Sequence, residues 1–184
     1  ANIRETDAIV YVLRAFLKQD VVTTQAVINP LDEKDTLDTE LILKDIEALE
    51  KGLRSKEAVK ETDVLKKAIG FLEGGKVLSE QEFTSEENKI ISQYQLLTTK
   101  PRLYLLNGRD EEVPREVTAE FEKNGWPYLI IDVQIEFEAA GMTADERQSL
   151  GLKEELEFDL LIRKAYEVLG LMTFFTTGPD ETRA

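Results

Sequence analysis

The run Leu103-Tyr-Leu-Leu106 constrains the fold of this chain more than any other stretch. It is continuously apolar, too short for a helix, and it stops abruptly at Asn107-Gly-Arg-Asp110. A strand that is apolar on both faces must be covered on both faces, which is the condition of parallel strands in α/β proteins. A second apolar run, Leu129-Ile-Ile131, reads as a strand over Pro127 to Asp132. Between the two, Pro114 stands at a helix start, Val117 and Phe121 share a helical face, and Asn124-Gly125 terminates it. Strand, helix and strand within about thirty residues predict a βαβ unit. Open sheets of this kind bind ligands beyond the carboxyl ends of their strands. The candidate binding residues are therefore Asn107, Gly108 and Asp110 after the first strand and Asp132, Val133 and Gln134 after the second.

Spacing alone leaves two readings of this turn open. Asn and Gly take left-handed conformations readily and Asp forms Asx turns, so the segment suits a plain loop. It also suits nucleobase recognition. A carboxylate at that height accepts from two edge N–H groups of guanine, Asn braces the loop and contacts N7, and the neighbouring strand end closes the pocket with backbone groups.

Upstream, Ala8 to Phe16 is apolar, β-branched and aromatic, and reads as a central strand, followed by a polar connection from Leu17 to Asp35 around Asn29-Pro30. Asp35 or Thr36 caps a helix whose Ile42, Ile46, Leu49 and Leu53 form a heptad seam, with acidic residues on solvated outer faces. Ala58, Leu65, Ala68 and Leu72 mark a second helix ending at Gly74-Gly75, so the pair predicts an antiparallel hairpin. Thr84-Ser-Glu-Glu87 is a capping box, and the helix it opens carries Ile90, Ile91, Tyr94 and Leu97 on one face. Downstream, Ala144 to Leu150 forms a short helix. Leu156, Leu160, Leu161, Ala165, Val168 and Leu169 form the buried stripe of a longer one, and Leu171 to Gly178 a final strand. Trp126 is expected to pack at a helix-to-strand junction.

What the composition lacks excludes whole classes of chemistry. The chain has no His and no Cys, which removes Ser-His and Cys-His nucleophiles, His-ligated zinc and disulfides. Lys and Arg number 23 against 37 Asp and Glu, and the net charge of −14 opposes broad contact with DNA. No stretch approaches the roughly 20 apolar residues of a membrane span, and no secretory leader is present, so a cytoplasmic protein is expected. The acidic pairs Glu111-Glu112 and Glu154-Glu155 point to opposite sides of their elements, and no metal site is predicted. No Gly-x-x-x-x-Gly-Lys-[Ser/Thr] loop and no Asp-x-x-Gly after a strand occur, so no catalytic residue for phosphoryl transfer is assigned.

Three stretches carry a specific likeness. They are Asn2-Ile-Arg-Glu-Thr-Asp-Ala-Ile-Val-Tyr-Val-Leu-Arg-Ala-Phe16, Tyr94-Gln-Leu-Leu-Thr-Thr-Lys-Pro101, and Tyr166-Glu-Val-Leu-Gly-Leu-Met-Thr-Phe-Phe-Thr-Thr-Gly-Pro-Asp-Glu-Thr-Arg-Ala184. In these and along its whole length the chain resembles the YchF/Obg-like ATPases. These are P-loop NTPases with a coiled-coil insertion in the G domain and a C-terminal TGS domain, and they associate with ribosomes. The resemblance implies an internal fragment lacking the P-loop and switches. Residues 1–35 would be the central part of the G domain, 36–98 the helical insertion, 99–170 the C-terminal half of the G domain and 171–184 the start of the TGS domain. It implies GTP or ATP with Mg2+ in the parent protein, none held tightly by this chain, and a ribosome partner. Asn107-Gly-Arg-Asp110 falls on the base-specificity motif and Asp132-Val-Gln-Ile-Glu136 on the following base-contacting loop. Three departures stand out: Asp110 replaces the family's frequent Glu, which bears on GTP against ATP, Gly108 replaces its usual Lys, and Asp132, Val133 and Gln134 replace the small residues usual at the second loop.

Overall fold

The structure, a computed structural model, describes residues 3–16, 29–54, 61–152, 156–174, 176–177 and 182–183. Three strands, β1 (Ile9–Arg14), β2 (Arg102–Asn107) and β3 (Tyr128–Ile131), form a parallel sheet in the order β1-β2-β3. β2 is the middle strand, and its residues from Arg102 to Leu106 are all buried, as its unbroken apolar run requires. The sequence reading placed β1 centrally as well. Among the described residues it lies at the sheet edge, with Ile9, Tyr11 and Leu13 buried and Val10 and Val12 exposed.

The β1-to-β2 connection carries α1 (Pro30–Leu53), α2 (Thr62–Glu73) and α3 (Ser85–Ser92). α1 starts earlier than the expected cap at Asp35 or Thr36. Asn29 caps it by accepting from Leu31 N, and Pro30 occupies the first turn, where its missing N–H costs nothing. α1 and α2 pair through Ile42, Leu49, Leu65, Ala68 and Leu72, and this hairpin core continues into Val77, Leu78, Ile91 and Leu96. The predicted break near Ser55 and the seam residue Ala58 lie outside the described residues. The Thr84–Glu87 capping box is present in both directions. α3 ends at Ser92, before Tyr94 and Leu97, and Gln95 follows at φ 47°.

A second core lies under the sheet, where Ile9, Tyr11, Leu13, Tyr104 and Leu106 meet Val117 and Phe121 of α4 (Arg115–Lys123) and Leu37 and Leu41 of α1. Trp126 packs there against Tyr104 and Phe121, as expected.

The acidic faces of α1 are not all solvated. Asp38 and Asp45 are buried, and they join the hairpin to the sheet. Asp45 accepts from Leu97 N at 2.9 Å, Thr98 N at 2.7 Å and Thr98 Oγ1 at 2.8 Å. Asp38 accepts from Tyr11 Oη at 2.9 Å, Lys34 Nζ at 2.8 Å and Arg102 Nη1 at 2.8 Å. Burial first, then the adjacent Asp38 charge, pushes the Tyr11 phenol far above its ordinary pKa, which keeps it a donor to that carboxylate.

After β3 come α5 (Val133–Ala139), α6 (Ala144–Ser149) and α7 (Glu157–Val168). α7 contacts β2, yet none of its residues is fully buried, and Ile162 and Tyr166 are exposed. The expected buried stripe is therefore a half-covered face. Leu171 to Phe174 form no strand. The described tail holds only β4 (Thr176–Thr177) paired antiparallel with β5 (Thr182–Arg183).

A candidate nucleotide-base cleft at the carboxyl edge of the sheet

All three strands end in register at one edge, where Arg14 pairs with Asn107 and Asn107 with Ile131. The chain leaving this edge is tied down by backbone bonds: Ala15 N donates to Asn107 O at 2.8 Å and Gly108 N to Ile131 O at 3.1 Å. Asn107 Oδ1 accepts from Val133 N at 3.1 Å, joining the ends of β2 and β3 through a side chain. Asp132 caps α5, its Oδ1 accepting from Gln134 N and Ile135 N at 3.1 Å each, while Oδ2 takes Arg109 Nε at 3.4 Å. Both of its oxygens are thus committed.

A cleft of about 600 Å³ opens here, lined by Phe16, Asn107, Gly108, Arg109, Asp132, Val133, Gln134 and Phe137 among others. Five of the six predicted site residues share it. The sixth, Asp110, is exposed and lines the adjoining 370 Å³ cleft, which shares Gly108, Arg109 and Asp132 with the first. The segment expected to be a second loop is the cap and first turn of α5, because the Asp132 carboxylate starts a helix there. Its backbone N–H groups at Val133 and Gln134 are already used, so it offers a ligand side chains rather than backbone donors. Sequence reasoning missed Phe16 and Phe137. The available signal was an aromatic two residues after β1 and another six residues after β3.

Gly108 has a steric reason. A Cβ placed on it would lie 2.8 Å from the carbonyl carbon of Ala15 and 2.9 Å from its oxygen. The exit of β1 crosses β2 so closely that only glycine fits between them.

A parallel sheet flanked by helices, with a cleft at its carboxyl edge and a helical hairpin between two adjacent strands, matches part of a P-loop NTPase domain. No family model matches the chain. The ribosome-binding ATPase YchF of Bacillus subtilis is 34% identical to it, over 100% of this chain and 56% of that protein. The protein of the same name from Haemophilus influenzae is 35% identical over 100% and 55%. The solved structure of the Schizosaccharomyces pombe YchF GTPase superposes with a TM-score of 0.79 at 25% identity, covering 98% of this chain and 55% of that one. The chain belongs to the YchF family. It spans about half the length of the curated relatives it matches.

Proposed function

We propose that this chain supplies the base-reading wall and helical insertion of a longer, ribosome-associated nucleoside-triphosphate hydrolase. The observation that carries this is Asn107. Its Oδ1 is held by Val133 N, which orients the carboxamide and leaves its NH2 for an acceptor such as purine N7. Gly108, Val133 and Gln134 line the base site, and Asp132 positions it by fixing α5 and Arg109. The names of the relatives, a ribosome-binding ATPase and a GTPase, support the same reading. Asp110 lines the adjoining cleft, while Glu112 and Asp132 are the carboxylates of the base cleft itself, and the reading takes both ATP and GTP as ligands. Mg2+ would accompany the triphosphate in the parent protein. Among the described residues no group of three Asp or Glu converges to hold a metal ion.

Titration calorimetry tests the proposal. Asn107→Ala in the full-length protein should weaken ATP and GTP about tenfold, the loss of one or two polar contacts. The 184-residue chain alone should bind both more weakly than micromolar, since the phosphate contacts lie elsewhere. Micromolar binding by the chain alone would refute that division of labour.

A second reading rests on the separate core of the hairpin. An appendage that folds around its own apolar residues suits docking on a ribosome or protein partner. Replacing residues 50–64 by a short turn in the full-length protein should abolish co-sedimentation with ribosomes and spare hydrolysis; unchanged co-sedimentation would sink it.

A further inference from the structure

We infer that Phe137 is an aromatic platform on which the base of the bound purine nucleotide stacks, an assignment that rests on the base-cleft reading above. α5 buries Glu136 and Ala139, and it turns Val133, Gln134 and Phe137 to the cleft. Val133 and Phe137 are four residues apart on one helical face, so Phe137 lies about 6 Å, just over one turn, along the helix from the residue bonded to Asn107. Phe137 is 79% exposed, and a large apolar ring left in water in the lining of a cleft gains by being covered.

Strand order decides which surface of a ligand the ring meets. β1 and β3 flank β2, so Phe16 at the exit of β1 and Phe137 beyond β3 approach Asn107 from opposite sides. Strands lie about 4.8 Å apart, which puts β1 and β3 roughly 10 Å from each other. That spacing of backbones leaves room over β2 for a flat base, which needs about 3.5 to 4 Å on each face. A base whose edge meets the Asn107 carboxamide turns its faces toward these flanking elements, and the exposed face is the one Phe137 covers. Stacking reads ring area rather than hydrogen-bond pattern. It therefore favours purines over pyrimidines and does not separate adenine from guanine.

Dissociation constants of ATP, GTP, CTP and UTP measured on the full-length protein test this. Phe137→Ala should weaken ATP and GTP about tenfold and CTP and UTP less, narrowing the purine-to-pyrimidine ratio, and Phe137→Trp should retain the wild-type ratio. Phe137→Leu keeps apolar volume without a ring, so it preserves a folding role and should show the same loss as alanine. Wild-type ratios in both the Ala and the Leu variant, with Asn107→Ala still weakening every nucleotide, would remove the platform and leave the base cleft standing. Full ATP affinity in Phe137→Leu alone would assign the residue to packing and overturn the proposal. If Asn107→Ala also leaves every nucleotide unaffected, the cleft reading falls and the platform with it.

Discussion

Gly108 sits where a side chain has nowhere to go. Both chains that would have to part are pinned, Ala15 by its bond to Asn107 and Gly108 by its bond to Ile131. Gly108→Ala should therefore cost about 1 to 3 kcal/mol, read as a lower urea midpoint at unchanged slope, and Gly108→Lys at least as much. Asp110→Ala carries the opposite expectation. Because Asp110 lines the adjoining cleft, the ratio of GTP to ATP affinity should move less than about threefold, well under the tenfold that 1.4 kcal/mol of a lost contact represents. A collapse of GTP binding would show that the turn closes onto guanine. Asp45→Ala should be the most damaging of these changes, about 3 to 5 kcal/mol in chemical denaturation, since it strands two buried N–H groups and a hydroxyl. Asn107 and Gly108 were legible in the sequence because a strand ended on them. Asp38 and Asp45 were not, although they continue the same helical stripe as Ile42 and Leu49. Carboxylates on a helix look solvated until their donors, contributed by distant segments, are known. Phe16 and Phe137 escaped because a single aromatic has no period.

At the scale of elements, the Thr84 box was a sound guide and the expected α1 cap was not, since Asn29 starts that helix six residues earlier than Asp35. The three strands, the hairpin, α4 and the Thr84 capping box followed from local pattern, since each is fixed by residues close in sequence. α5 is seven residues long and begins at a cap that also reads as a turn residue, so its helical period had no room to appear. The apolar period of α7 identified residues on one face but not whether the described chain covers them, and it leaves them half exposed. The start of α3 offers a pH test. The hydrogen bond from Lys67, then the backbone of Thr84, holds the Glu87 carboxyl below its ordinary value of 4.5. A lowered folded-state pKa gives a contribution that is complete above the ordinary value and is lost as pH falls through the lowered one. In thermal melts from about pH 6 to pH 3, wild type should lose its advantage over Glu87→Gln only on the acid side of that range. Thr84→Ala should cost about 1 kcal/mol, measured at neutral pH.

For the molecule as a whole, a net charge of −14 means that like charges repel across the surface. Raising salt from about 0.05 to 0.5 M should lift the thermal midpoint through screening. A fall would mean that ion pairs such as Arg102 with Asp38 and Glu80 outweigh the repulsion. Among the described residues no helix is long and apolar enough to cross a membrane. The buried charges of α1 have a mechanical meaning beyond their stability. Its 24 residues make a rod of about 36 Å, clamped to the body at Glu33, Asp38 and Asp45, all within its first sixteen residues. A beam built in along two thirds of its length transmits any load on its far end to those clamps as a turning moment. The outermost clamp is Glu33, which holds both the backbone N–H and the guanidinium of Arg14, one residue before the Ala15 that closes on Gly108. Whatever leans on the far end of α1 therefore also leans on the rim of the candidate base cleft.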